Sequence, residues 1–248
     1  MRACANSPRT RIKICGLTRE ADVDCAVNAG VDAVGFVLYP RSPRAVSLDR
    51  AAELARRLPP FVTPVLLFVN EAPPLVQAAC EQVAGAIVQF HGDESPAQCL
   101  MSTGDGRVPY LRAARIPLTP TAAGSLDFDL LHFCSLHASA QAILLDAHVD
   151  GFGGGGTSFP WSLLPPNVNS HLVLSGGLTP ANVADGIAQV RPRCRTLAVD
   201  VSSGVECDAP DGGRLKGIKD ADKIHRFVAA VRAADQHLAE HDVPIPTA

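Results

Sequence analysis

Two residues that can transfer protons stand directly after short apolar runs of the chain. Cys15 follows the run 12–14, and Asp146 follows the run 143–145. A thiol acts as a base once its pKa falls toward neutral, and a carboxyl group acts as a general acid when its surroundings raise its pKa. Asp200 ends another apolar run in the same way and competes for the acid role. Spacing leaves that choice open, and an inert buried thiol or a capping carboxylate is the alternative for each.

Two glycine-containing segments also follow apolar runs and are typical of anion-binding turns. One contains Gly176 and Gly177, and the other contains Ser202, Ser203 and Gly204. Backbone N–H groups of such turns can face an anion, and a helix that begins there adds a favourable dipole. The two segments together predict a phosphate site, with two ordinary glycine turns as the alternative.

Three further features suit contact with a small ligand. The guanidinium fork of Arg44 suits a carboxylate or a phosphate, although a solvated surface arginine is equally compatible with the sequence. His91 follows an apolar run and either lines the pocket or makes a structural hydrogen bond. The glycine-rich stretch 151–156, which ends in Gly156, predicts a flap or a backbone close to the ligand, or else a flexible spacer.

An acid, a base and anion-binding turns act together only if the fold brings them to one place. Apolar segments alternate with helical ones along the chain, which predicts parallel βα units. The predicted strands are 11–15, 32–38, 64–69, 86–90, 109–114, 142–146, 171–175 and 196–200. The expected helix starts are Thr18, Ser47, Ser95-Pro96 and Thr179-Pro180. Eight such units favour an α/β fold, a (β/α)8 TIM barrel of a single domain, over an open doubly wound sheet, and the barrel gathers all strand ends on one face.

The chain length agrees with one barrel domain. It has 248 residues, close to the usual size of a (β/α)8 barrel. We expect residues 1–10 to form an N-terminal extension, residues 11–236 the barrel, and residues 237–248 a flexible tail.

Composition argues against several classes of partner. The net charge is −3 with no basic block, so we expect no binding to nucleic acid. The apolar runs are too short for a membrane span, and the N-terminus lacks the apolar core of a signal peptide, so we expect a cytoplasmic protein. The eight cysteines are scattered without zinc-type spacing, which predicts reduced thiols and no metal. An acid and a base without metal ligands or a nicotinamide fingerprint predict an isomerase of a phosphorylated small molecule.

Several motifs taken together resemble the phosphoribosylanthranilate isomerase family, over roughly residues 11–233. They are Lys13-Ile14-Cys15-Gly16-Leu17-Thr18, Gly35-Phe36-Val37-Leu38-Tyr39-Pro40 with Ser42 and Arg44, Val88-Gln89-Phe90-His91-Gly92, Leu144-Leu145-Asp146, Leu174-Ser175-Gly176-Gly177-Leu178, and Asp200-Val201-Ser202-Ser203-Gly204-Val205-Glu206.

The resemblance implies an Amadori rearrangement of N-(5-phosphoribosyl)anthranilate to the 1-deoxyribulose form in tryptophan biosynthesis. It implies that Asp146 protonates the furanose oxygen and that Cys15 removes the C2′ proton. Arg44 would hold the anthranilate carboxylate, and His91 and Asp200 would also contact the substrate. The glycine segments and Gly156 would bind the phosphate. The resemblance implies no cofactor and no metal, and we expect a monomer rather than a homodimer.

The chain departs from the family pattern in two places. Thr157 and Pro160 stand where the family often has Lys and Asp, and the segment 206–219 is longer than usual. Two alternatives stay open: a phosphate-binding barrel of sugar-phosphate epimerase or indole-glycerol-phosphate synthase type, and a barrel that binds a phosphorylated metabolite without turnover.

Overall fold

Eight parallel strands pair in chain order and close on themselves, because the eighth strand also pairs with the first. The computed structural model describes residues 9–119, 126–147 and 158–241. The strands are β1 (Arg11–Cys15), β2 (Ala33–Val37), β3 (Thr63–Phe68), β4 (Ile87–Phe90), β5 (Tyr110–Ile116), β6 (Ala142–Ala147), β7 (His171–Leu174) and β8 (Thr196–Val201). The predicted barrel is therefore confirmed, and each strand lies within two residues of its predicted limits.

Helices follow most strands and cover the outside of the barrel. They are α1 (Glu20–Ala29), α2 (Leu48–Ala55), α3 (Pro73–Gln82), α4 (Pro96–Ser102), α5 (Leu130–Leu136), α6 (Val183–Val190) and α7 (Ala221–His241). Between β6 and β7, the described residues hold a single 3-10 turn, Trp161–Leu163. An antiparallel pair that the sequence did not predict, β9 (Glu206–Asp208) and β10 (Arg214–Lys219), follows β8 and accounts for the long segment 206–219.

Strand alternation decides which side chains face the barrel interior. Ile12 and Ile14 of β1 pack outward into the core beneath the helices. Cys15, on the opposite face of β1, joins Val37 and Leu67 in an apolar layer near the carboxyl ends of the strands. Because side chains point to alternate faces along a strand, this parity places the polar residues of β1 inside the barrel.

Two helix starts predicted from serine are confirmed. The hydroxyl of Ser47 accepts a hydrogen bond from the Arg50 N–H group. Ser95 and Gln98 form a reciprocal capping box, with Pro96 as the first residue of α4. Both arrangements satisfy N–H groups that a helix leaves without internal partners.

Two helix starts predicted from threonine are wrong. Helix α1 is preceded by Arg19, and the Thr18 hydroxyl instead donates a hydrogen bond to the carbonyl of Gly217 in β10. Helix α6 begins at Val183, after a turn in which the Asn182 side chain accepts from the Thr179 N–H. The Thr179 hydroxyl accepts from the Ala181 N–H within this turn, so in both cases the threonine hydroxyl that was predicted to cap a helix makes another contact.

Both ends of the predicted barrel domain need correction. Helix α7 continues to His241, so residues 237–241 are helical and not part of a tail; Leu238 packs against the core and favours this continuation. At the other end Thr10 is buried, and its backbone N–H and hydroxyl both donate to the carboxylate of Asp235 in α7. Residues 1–8 and 242–248 lie outside the described residues.

A search of the described helices for a candidate transmembrane segment finds none of sufficient length and apolar character. The expected cytoplasmic location stays a prediction.

Candidate active site

Cys15 ends β1 at the mouth of the barrel, where it is buried. The next residue, Gly16, turns with φ +74°, and its N–H donates to the carbonyl of Gly35 in β2. A Cβ atom at Gly35 would lie 2.7 Å from the Cys15 Sγ, so the absence of a side chain there makes room for the thiol. The structure thus gives the predicted thiol a fixed place beside a glycine of the neighbouring strand.

A buried ion pair lies beside this thiol. Lys13 and Asp200 are directly paired across β1 and β8, and the Lys13 Nζ lies 2.8 Å from the Asp200 Oδ2. Both side chains are about 5% exposed. The second carboxylate oxygen, Oδ1, is buried and has no hydrogen-bond partner among the described residues. Asp200 therefore lies inside the mouth, where its carboxylate accepts a hydrogen bond from a lysine to which the sequence assigned no role.

The charges of this group oppose the effect of burial on each pKa. Burial lowers the pKa of Lys13, but the Asp200 carboxylate and the Cys15 side chain together raise it above its ordinary value. Burial raises the pKa of the Cys15 thiol, and the Lys13 ammonium is the largest influence that opposes the rise. The thiol proton is thus controlled mainly by desolvation and by one lysine.

Asp146 lies at the end of β6 and is reached by a chain of hydrogen bonds. Its Oδ2 lies 2.9 Å from the His91 Nε2, and the His91 Nδ1 lies 3.0 Å from the Gln89 Nε2. All three side chains are buried. Since the Gln89 amide nitrogen donates to Nδ1, the proton of a neutral imidazole lies on Nε2 and points at Asp146. His91 thus orients the predicted acid, a contact that the sequence analysis did not predict.

The first glycine turn packs directly against the acid. A Cβ atom at Gly176 would lie 2.6 Å from the Ala147 backbone nitrogen and 2.9 Å from the Asp146 Oδ1. Gly176 and Gly177 have φ values of +77° and +67°, which glycine adopts without strain. Their N–H groups donate to no acceptor in the described part of the chain, while Asn182 holds the turn by donating to the Gly177 carbonyl. Two backbone donors are therefore available beside Asp146.

The second glycine turn touches the first. A Cβ atom at Gly204 would lie 1.8 Å from the Leu178 carbonyl oxygen, so only glycine fits there. The preceding residue, Ser203, opens a short 3-10 turn, and Ser202 accepts a hydrogen bond from the Lys219 Nζ at its carbonyl oxygen (2.9 Å). The two segments predicted to bind phosphate thus form one continuous surface.

This surface connects the two proton-transferring residues. The Ser202 hydroxyl would lie 3.2 Å from a Cβ atom at Gly16, next to Cys15, while Gly176 lies against Asp146. The glycine turns therefore occupy the part of the mouth between the thiol and the carboxylate. A phosphorylated molecule held there would be flanked by a base and an acid.

Arg44 is buried at the mouth, and two of the three nitrogen atoms of its guanidinium group donate to a carboxylate of the protein. Its Nε and Nη2 atoms donate to the two oxygens of Glu206 at 2.6 and 2.8 Å. Glu206 also accepts from the Lys219 Nζ (3.3 Å) and the Gly217 N–H (2.8 Å). Burial raises the pKa of Glu206, but Arg44, Lys219 and the Gly217 N–H together lower it below its ordinary value. Two cations, Arg44 and Lys219, thus share the carboxylate of Glu206. The Arg44 Nη1 atom donates to no protein acceptor in the described chain.

The predicted role of Gly156 and the predicted absence of a metal and a cofactor remain untested. Gly156, predicted to bind phosphate, lies outside the described residues. Among the described residues, no group of three His, Cys, Asp or Glu side chains could hold a metal ion. The absence of a metal and of a cofactor from the reaction stays a prediction.

A sequence signal existed for two of the residues that the analysis missed. Lys13 is a charged residue between two isoleucines of β1, and a charged residue is buried only with a partner. Gln89 is likewise a polar residue between apolar residues of β4. Glu206 and Lys219 carried no comparable signal, because their meeting depends on the pairing of β9 with β10.

The chain matches a known protein family over most of its length. The family profile described as N-(5'phosphoribosyl)anthranilate (PRA) isomerase matches residues 12–230. The N-(5'-phosphoribosyl)anthranilate isomerase of Methylibium petroleiphilum is 60% identical over 235 residues, which cover 95% of this chain and 100% of that protein.

Solved structures agree with the sequence relatives. The crystal structure of phosphoribosyl anthranilate isomerase from Thermotoga maritima has a TM-score of 0.73 and 36% identity, covering 90% of this chain and 99% of that one. Another phosphoribosyl anthranilate isomerase structure, 35% identical with a TM-score of 0.70 and the same coverage, is a complex with reduced 1-(o-carboxyphenylamino)-1-deoxyribulose 5-phosphate.

Proposed function

The chain belongs to the phosphoribosylanthranilate isomerase family, and on this premise we propose that Asp146 and Cys15 are the acid and the base with which it converts N-(5-phosphoribosyl)anthranilate to 1-(2-carboxyphenylamino)-1-deoxyribulose 5-phosphate. The observation that carries the assignment is the position of the two glycine turns, which touch Asp146 on one side and Gly16, next to Cys15, on the other.

The first step opens the sugar ring. Asp146 gives its proton to the furanose oxygen, the bond between that oxygen and C1′ breaks, and the nitrogen lone pair forms a Schiff base with C1′. The His91 Nε2, 2.9 Å from the carboxylate, supports this role because it fixes the orientation of the acid and stabilises the carboxylate that the step produces.

The second step moves a proton from carbon. The Cys15 thiolate takes the C2′ proton, and the electrons of the C2′–H bond form a C1′–C2′ double bond while the nitrogen becomes neutral. The resulting enolamine tautomerises to the ketone. A base with a buried sulfur suits this step, since a thiolate with little solvation is a stronger base than one in water.

Substrate binding divides between the glycine turns and Arg44. We propose that the N–H groups of Gly176, Gly177 and the segment 202–204 bind the phosphate, and that Gly156 adds a further donor. The Nη1 atom of Arg44, which is not used by Glu206, would contact the anthranilate carboxylate. A solved relative binds a ligand that carries both a phosphate and a carboxyphenyl group, which supports a site with contacts for both.

We further propose that the protein acts in the cytoplasm as a monomer. The seven cysteines in the described part of the chain are free thiols, as a reducing compartment favours. Light scattering after size-exclusion chromatography measures the mass in solution, and a value twice the 26.0 kDa of the chain would replace the monomer by a dimer.

The test follows the loss of phosphoribosylanthranilate fluorescence with purified protein and no added metal. Cys15→Ser and Asp146→Asn are each expected to lower kcat by about 100-fold or more, because general acid–base catalysis contributes roughly 10²–10⁴-fold. Cys80→Ser in α3 and Asp49→Asn in α2 are the matched controls and should keep wild-type turnover. Near-normal rates in either active-site variant would remove that residue from its proposed role, and binding without turnover in the wild type would leave a non-catalytic barrel.

A further inference from the structure

Lys13 is a buried charged residue beside the thiol. It is 4% exposed, points into the barrel from the middle of β1, and is paired in register with Asp200 of β8. A lysine is buried to this extent only when another group compensates for lost hydration. The Asp200 Oδ2 supplies one such contact at 2.8 Å.

The other contact of the Lys13 ammonium is toward Cys15. A Cβ atom at Gly35 would lie 2.7 Å from the Cys15 Sγ and 3.1 Å from the Lys13 Nζ, so the sulfur and the ammonium lie side by side in the space that this glycine leaves open. Asp200 thus anchors the ammonium from β8, while Gly35 leaves it free to face the sulfur from β2.

We infer that Lys13 is a positioning residue of the isomerisation, which keeps its own proton throughout and stabilises Cys15 as the thiolate, while Asp200 fixes the ammonium in that position. The inference rests on the proposed role of Cys15 as the base. When the thiolate takes the C2′ proton, a neutral thiol forms and the Lys13–Asp200 pair stays ionised. Loss of that proton from the thiol after product release regenerates the anion beside the ammonium.

Four charged side chains surround the thiol from the elements packed on it. Lys13 on β1 and Lys219 on β10 favour the thiolate, and Asp200 on β8 disfavours it. Arg44, on the segment after β2, packs its Cδ against Gly16, but its charge is paired with Glu206. Lys219 is likewise held by Glu206 and Ser202. Lys13 is therefore the cation that is directed at the sulfur.

The test measures the ionisation of Cys15 without substrate. Folded enzyme is alkylated with iodoacetamide at a series of pH values, and the modification of the Cys15 peptide is quantified by mass spectrometry, with Cys25 in α1 as an internal reference. Lys13→Met should raise the midpoint of the Cys15 profile by about one pH unit or more, since a neighbouring opposite charge shifts a pKa by roughly 1–3 units. Lys13→Arg, which keeps the charge, should stay closer to the wild type.

A second variant guards against misfolding. Lys13→Met alone leaves Asp200 buried without a partner, whereas Lys13→Met with Asp200→Asn removes both charges and should fold. Its midpoint should also move upward, but by less than in Lys13→Met alone, because the lost Asp200 carboxylate had disfavoured the thiolate. In turnover, both variants should lower kcat at neutral pH and move the rise of kcat with pH toward alkaline values, with little change in KM.

The outcomes separate this inference from the assignment of Cys15. An alkylation midpoint that stays at the wild-type value in both Lys13→Met backgrounds would overturn the role of Lys13, even if Cys15→Ser is inactive. Wild-type turnover in Cys15→Ser would instead overturn the base assignment, whatever the alkylation profile shows.

Discussion

On the β1 side of the barrel mouth Cys15 lies beside a buried ion pair, whereas on the β6 side Asp146 is reached by the amide and imidazole groups of Gln89 and His91. Both groups are buried at the carboxyl ends of their strands, and each is supported by one polar neighbour that points into the barrel. The charge of the supporting group is what differs.

The difference follows from the protonation state that each group needs before substrate binds. A thiol serves as a base only when it has lost its proton, and a fixed cation stabilises that anion. A carboxyl group serves as an acid only while it holds its proton, and a cation beside it would favour the ionised form. As an uncharged donor, the His91 imidazole orients Asp146 and favours the ionised carboxylate less than a cation would, so a lysine suits the thiol side and an uncharged chain suits the acid side.

The largest expected effect concerns a second ionic group on the thiol side. Glu206→Gln would leave Arg44 and Lys219 buried without a carboxylate, and breaking such a group costs about 3–5 kcal/mol of unfolding free energy. Urea denaturation measures the loss. Glu53→Gln, which removes an exposed carboxylate that pairs with Arg50, is the control and should change little. Glu206→Gln combined with Lys219→Met should recover part of the loss, and equal stability of Glu206→Gln and wild type would mean that the charges are not buried.

The next effect compares the two glycines that make room for the proton-transferring groups. Gly176→Ala brings a Cβ within 2.6 Å of the Ala147 backbone nitrogen at φ +77°, so the turn must move, and a displacement of about 1 Å near the chemistry lowers turnover by about 100-fold. Gly35→Ala crowds the Cys15 Sγ and the flexible end of Lys13 instead, and a loss of about tenfold is expected, since these atoms move more easily than backbone.

Gly85→Ala is the control for this comparison. Gly85 has φ +76° but no atom within 4 Å of its virtual Cβ, so this variant should lose stability through backbone strain and keep its turnover. Activity is measured by substrate fluorescence and stability by thermal unfolding. A turnover loss in Gly85→Ala equal to that in Gly176→Ala would mean that backbone strain rather than crowding explains the effect at Gly176.

A smaller effect on kcat is expected when a charge is introduced on the Asp146 side of the mouth. Gln89→Glu keeps the shape of the side chain but places a carboxylate beside the His91 Nδ1, which favours the imidazolium and therefore the ionised form of Asp146. We expect kcat at neutral pH to fall by about tenfold, the equivalent of one pKa unit. Gln89→Met, which removes the hydrogen bond without adding charge, should cost less. The pH dependence of kcat checks this result, and a Glu variant as active as the Met variant would contradict the need for an uncharged chain.

Much of this molecule could be predicted from local patterns. Cys15 and Asp146 stand out because each ends an apolar strand, and in a parallel barrel the strand ends converge. Ser47 and Ser95 were identified as caps because the capping contacts join residues three apart. Such features depend on neighbours in sequence, and local physics decides them.

The errors concern contacts between distant parts of the chain. The pairing of Lys13 with Asp200 joins residues 187 apart and depends on the register with which β8 closes on β1. The Thr18 hydroxyl donates to the Gly217 carbonyl of β10. Because β10 was not predicted, Thr18 was expected to cap a helix. Arg44 lies at the mouth, but its contact with Glu206 depends on the β9–β10 pair, which was not predicted. Register and inserted strands, rather than residue type, limit prediction here.

A histidine outside the mouth provides the smallest and most separable prediction. His137 at the end of α5 is 5% exposed, and burial together with the charge of Arg112 lowers its pKa to about 4. The unfolded chain takes up this proton near pH 6.5 and the folded chain only near pH 4, so the stability that neutral His137 contributes is complete above pH 6.5 and is lost as the pH falls toward 4.

His137→Phe should therefore lose less stability than the wild type between pH 7 and pH 4.5, by roughly 1–3 kcal/mol, since one pKa unit is worth about 1.4 kcal/mol. Urea denaturation across this range measures the difference, with the exposed His132→Gln as the control. Turnover at neutral pH should not change, because His137 lies outside the barrel interior, unlike His91. Parallel stability curves for the wild type and His137→Phe would show that folding does not lower the pKa of His137.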